Sequence, residues 1–127
     1  MRHPNLTRAA QGIAALLLLV AATTKFIGDP GSVEVFARLG MEPAGRYAIA
    51  VIELVAALLL LSPFAALGSV VAVSVMLGAI IAHCTQLGLV VDNDGGHMVG
   101  TLVVVLLCAG FVLVSRRKEI PFVGETF

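Results

Sequence analysis

The chain has 127 residues, enough for one domain, with 59% hydrophobic residues, 13% charged residues and a mean hydropathy of +1.04. A soluble domain is about a quarter charged, so this composition cannot clothe a water-facing surface, and it excludes a soluble enzyme and a disordered tail. Eight Lys and Arg balance eight Asp and Glu, which leaves no basic face for a nucleic-acid backbone.

A membrane-crossing helix needs about 20 mainly apolar residues. Four stretches approach that length: residues 9–26, 44–61, 64–87 and 96–115. Leu, Ala and Val dominate all four without the in-out alternation of a barrel, so each is expected to be a helix that pairs its own peptide groups. The expected fold is all-α, an integral membrane antiparallel four-helix bundle forming a single domain over residues 1–127. The opening also carries signal-peptide features, with Arg2 and Arg8 before an apolar run and Ala21-Ala22 after it. Cleavage there would leave three spans and strand the N-terminus outside. Arg2 and Arg8 precede the first span, and Arg116, Arg117 and Lys118 follow the last. The positive-inside rule then puts both termini in the cytoplasm of a multi-pass protein of the cell (inner or plasma) membrane.

The connections differ in character. Between the first two spans, Asp29-Pro30-Gly31 is a turn signal, Ser32 a candidate N-cap and Gly40 a candidate C′ residue. They bound a short amphipathic helix over residues 33–39, with Val33, Phe36, Ala37 and Gly40 on one face and Glu34 paired to Arg38 on the other. Ser62-Pro63 makes a tight turn between the second and third spans. Asp92-Asn93-Asp94-Gly95 resembles the start of a calcium loop but lacks the later ligands and the final Glu, and reads as a plain turn.

Polar residues within apolar spans mark functional candidates. One stripe per helix collects them: Gln11, Leu18, Ala22 and Lys25; Arg46, Ala50, Glu53 and Ala57; Ser69, Met76, Ala79, His83 and Gln86; His97, Thr101, Val104 and Cys108. At about 1.5 Å per residue, Glu53 lies roughly 12–13 Å below the outer end of its helix. Lys25, Arg46, His83, Gln86 and His97 sit near the outer mouth. A carboxylate at that depth must be protonated, paired with Lys25, Arg46 or an imidazole, or exposed to a watery pocket. The candidate ligand or proton site is therefore Glu53, Lys25, His83, Gln86, His97 and Arg46. A structural clasp between Glu53 and Lys25 or His83 accounts for the same residues, with Lys25 snorkelling, His83 bonding between helices and His97 starting its helix beside water. No ligand spacing supports a metal site. Cys84 and Cys108 form no Cys-x-x-Cys pair, lie too far apart in depth for a disulfide, and read as small buried hydrophobes. Small-residue faces such as Ala56-Ala57 and Gly78-Ala79 allow close packing, including with a second copy.

Several motifs fall in a recognisable order: Lys25; Val33-Glu34-Val35-Phe36-Ala37-Arg38-Leu39-Gly40 leading to Pro43; Glu53-Leu54; Pro63; and Met76-Leu77-Gly78-Ala79-Ile80-Ile81-Ala82-His83. Over residues 15–110 the chain resembles the DoxX-like family of small four-helix membrane proteins. The resemblance implies Lys25, Glu53 and His83 as the polar signature. It also implies membrane or redox protein partners, since members are described as subunits or partners of quinone-linked and thiol-related redox systems, and distant relatives as assembly factors. The expected function is that of an accessory protein, not catalytic alone, as in a subunit of a quinone-linked oxidoreductase. Its outer pocket would bind a small amphipathic ligand with a quinone as first guess, Lys25 and His83 donating to a carbonyl oxygen and Glu53 exchanging a proton. No flavin, haem or iron–sulfur motif is encoded. A non-catalytic scaffold is the alternative. A small proton-coupled exporter fits less well, since such exporters carry their carboxylate on the first helix beside aromatic residues, and here there is no Trp and one Tyr.

Overall fold

The computed structural model describes residues 3–91 and 94–120. All regular structure among them is helical: α1 (Pro4–Ile27), α2 (Pro30–Arg38), α3 (Ala44–Leu60), α4 (Ala65–Ala82) running on into a π-helical turn (His83–Leu87), α5 (His97–Ser115) and a 3-10 turn (Arg117–Glu119). α1 starts before the apolar run because Pro4 suits the first helical turn, and Thr7 Oγ1 donates to the His3 carbonyl at 2.8 Å. Hydropathy registers where lipid would begin, not where the helix does.

The first connection departs from expectation. α2 begins at Pro30, with Asp29 in the cap position and Ser32 buried inside the helix. Asp-Pro-Gly here is the helix start itself, since proline is preorganised for that position. The buried face is Gly31, Ser32, Val35 and Phe36; Ala37 and Gly40 are exposed and Val33 is half-buried. Gly40 does terminate the helix, at φ +70°, with Met41 N–H donating to the Phe36 carbonyl at 2.8 Å. Arg38 meets Glu34 at 3.3 Å, as the spacing required.

α1 packs against α3 and α5, and α4 packs against the same two helices, while α2 touches α1, α3 and the π turn. Leu18, Leu60, Met76, Val105 and Val112 fill the interior between small residues such as Ala14, Ala56, Ala57 and Ala72. Small side chains let the backbones approach, which is how helices gain packing where lipid is as apolar as the core. A second cluster, Val35, Phe36, Leu87 and Val91, joins α2 to the π turn.

Pro4–Ile27, Ala65–Leu87 and His97–Ser115 are long and apolar enough to cross a membrane. α3 has 17 residues, about 25 Å against a hydrocarbon layer of about 30 Å. At the end of the molecule bearing the start of α1, Gln11 Nε2 donates to the Leu60 carbonyl at 2.7 Å, closing an otherwise open end of α3. Arg116 Nη1 donates to Gln11 Oε1 at 3.0 Å, and Arg116 Nε donates to Glu119 at 2.9 Å.

Two expected stripes are displaced. α5 turns Val105, Ala109 and Val112 inward, leaving His97 and Val104 exposed and Thr101 and Cys108 half-buried. A helix apolar on every side carries no periodicity from which to read its buried face. On α4 the π turn advances the register, so Leu87 is buried and Gln86 exposed. Cys84 is exposed rather than buried.

Candidate functional site

The last turn of α1 carries Lys25, and the third turn of α3 carries Glu53. Lys25 Nζ lies 2.8 Å from Glu53 Oε1, with side-chain exposures of 18% and 2%. At that distance the ammonium can donate to Oε1, which has no other partner among the described residues. Glu53 therefore has the Lys25 ammonium as its one polar neighbour there.

Arg46, an expected partner of Glu53, is committed elsewhere. Its Nε donates to both oxygens of Glu42, at 2.8 and 3.0 Å, and Nη1 donates to the Lys25 carbonyl. Its guanidinium lies 4.5 Å from the centre of the Tyr47 ring. Arg46 thus ties the end of α1 to the start of α3 and holds Lys25 in place through its backbone.

His83 is buried at the start of the π turn. Among the described residues it makes no side-chain bond to another helix, unlike the expected interhelical partner. Its Nδ1 lies 2.9 Å from the Gly88 carbonyl, and the Gly88 N–H donates to the His83 carbonyl at 2.8 Å. Gly88 has φ +79°, a backbone setting glycine adopts without the strain a Cβ brings. A carbonyl can only accept, so Nδ1 carries the hydrogen, and the neutral form of the ring would have its lone pair on Nε2. The Arg38 guanidinium braces the same turn, donating to the Leu87 carbonyl at 3.0 Å.

Two cavities meet at the ion pair. The larger, about 440 Å³, is walled by Lys25, Glu53 and His83 together with Ser74, Phe36 and Met76. The smaller, about 310 Å³, shares Lys25, Glu53, Phe36 and Met76 and adds Thr24, His97 and Thr101. Of the six residues expected at the site, Lys25, Glu53 and His83 therefore line one chamber, and His97 joins the pair in the other. Arg46 and Gln86 line neither. Sequence reasoning missed Val35 and Phe36 as site residues, though they wall both chambers; the signal available was the apolar face of the short helix, on which Phe36 was placed and Val35 was not. Among the described residues no group of three or more His, Cys, Asp or Glu side chains is placed to hold a metal.

Asp94 closes the rim. Its Oδ2 accepts from Met98 N–H at 2.9 Å, and Oδ1 accepts from Gly96 N–H at 2.8 Å and Val91 N–H at 3.3 Å. Asp92 and Asn93 lie outside the described residues. The amides of Met98 and then Gly96 hold the Asp94 carboxyl below the usual aspartate range. A lowered carboxyl stabilises the fold above its ordinary value of about 3.9, and that contribution is lost as pH falls through the folded value. Acidification below that range is expected to abolish hydrogen-exchange protection of the Met98 amide, corrected for intrinsic rates. Asp94→Ala should show the same loss at neutral pH. Protection unchanged by either would contradict the cap.

The family model described as the DoxX-like family matches residues 9–113, so the chain belongs to that family. Neither a curated protein nor a solved structure matches it.

Proposed function

We propose that this member of the DoxX-like family is an antiparallel four-helix membrane bundle whose chamber at Lys25, Glu53 and His83 binds a small amphipathic ligand, with a quinone as first candidate. The direction of the helices is supported by two ties. Arg46 joins the end of α1 to the start of α3, and Gln11 joins the start of α1 to the end of α3. The balance of Arg2, Arg8, Arg116, Arg117 and Lys118 against Lys25, Arg38 and Arg46 favours cytoplasmic termini in the plasma membrane. α2 then lies over the outer mouth as an amphipathic cover.

One observation carries the binding reading: a carboxylate 2% exposed, met by Lys25 alone among the described residues, on the wall of an apolar chamber of about 440 Å³. Cavities of that size, with few polar groups on apolar walls, suit small organic ligands. Lys25 would donate to a ligand oxygen, Glu53 would exchange a proton with it, and Phe36 and Met76 would hold its apolar part. Electron transfer would fall to a partner protein or cofactor in a redox-linked assembly, the chain acting as an accessory subunit. Purified protein in nanodiscs is expected to melt at a higher temperature with an alkylated quinone or quinol, and His83→Ala should remove most of that shift. Failure of both molecules to bind would overturn the reading. A scaffold or assembly role, alone or as a homo-oligomer, draws on the same 2.8 Å contact, taken as a clasp between α1 and α3.

A further inference from the structure

The hydrogen-bonding polarity of the chamber specifies its ligand more narrowly. Lys25 is a donor only, and its ion-pair partner among the described residues is Glu53. Glu53, an acceptor only when ionised, is met by Lys25 alone among the described residues, which leaves its remaining lone pairs unfilled. His83 spends its Nδ1 hydrogen on the Gly88 carbonyl and lines the chamber, so its neutral form has only Nε2, an acceptor, to offer a ligand. With neutral His83 the site thus offers one cationic donor and two acceptors with unfilled lone pairs.

A carbonyl oxygen answers only the Lys25 ammonium and leaves both acceptors unfilled in an apolar surround, where an unmet polar group is costly. A hydroxyl accepts from Lys25 and donates to Glu53 or His83 in one position. Resting on the binding reading above, we infer that the chamber selects amphipathic ligands with a hydroxyl head, of the phenol or alcohol class, over carbonyl or ether analogues. Of a quinone and its reduced form, it takes the reduced form.

The test compares a long-chain 4-alkylphenol with its methyl ether, which keeps the ring, tail and oxygen but lacks the donor hydrogen. Both are titrated by calorimetry into the unaltered protein in nanodiscs, with protein-free nanodiscs subtracted. The phenol is expected to bind about ten-fold tighter or more, from one to two hydrogen bonds to charged or buried acceptors. His83→Phe should narrow that ratio. Equal binding of phenol and ether would overturn the hydroxyl selection while leaving a ligand chamber in place. Binding of neither would overturn both readings.

Discussion

Lys25→Met is expected to lower stability by about 3 kcal/mol, near the lower end of what breaking a buried ion pair costs. The reason is the orphaned partner. Glu53 is 2% exposed and has no partner but Lys25 among the described residues, while Lys25 is 18% exposed and gives up less hydration by pairing. Adding Glu53→Leu to Lys25→Met removes the orphan, and the double variant is expected to recover to within about 1 kcal/mol of the natural chain, since apolar replacement of a buried pair is commonly tolerated. Reversible unfolding in mixed micelles gives both numbers. A Lys25→Met variant as stable as the natural chain would mean that the 2.8 Å contact contributes nothing to the fold.

Gly68→Val is expected to cost about 1–3 kcal/mol or more through overpacking. A Cβ at Gly68 would sit 2.7 Å from the Leu60 backbone nitrogen and 2.8 Å from Leu59 Cβ. The obstacle is the last turn of α3, already tied by Gln11 and by Ser62 Oγ donating to the Leu59 carbonyl at 2.7 Å. It cannot yield without opening the α3–α4 corner. Gly78→Ala serves as the control. Nothing lies within 4 Å of a Cβ there, and alanine suits a helix interior better than glycine. Equal effects at the two positions, read from the same unfolding curves, would contradict the close approach at Gly68.

The helices were legible because apolar runs and proline or glycine boundaries state where a chain can hide its peptide groups. The Lys25–Glu53 meeting was legible for a related reason: a carboxylate in oil needs a cation, and depth counting put Lys25 at the outer mouth above Glu53. Other features had no such signature. The buried face of α5 followed from packing against α1 and α4, because Val and Leu surround that helix. The π turn exchanged Gln86 for Leu87 at the inner face, and one added residue per turn leaves no mark on hydropathy. Arg46 looked like a partner of Glu53 until Glu42, four residues earlier, proved the nearer carboxylate. The polarity of His83 depended on a carbonyl five residues away, positioned by the backbone of Gly88.

A structural clasp and a ligand site make the same demands on Lys25 and Glu53 until both charges are gone. The deciding measurement is therefore alkylphenol binding by the Lys25→Met/Glu53→Leu double variant in nanodiscs, beside its unfolding curve. A variant that stays folded and no longer binds the phenol is the predicted result. A folded double variant that binds it as tightly as the natural chain would contradict the account.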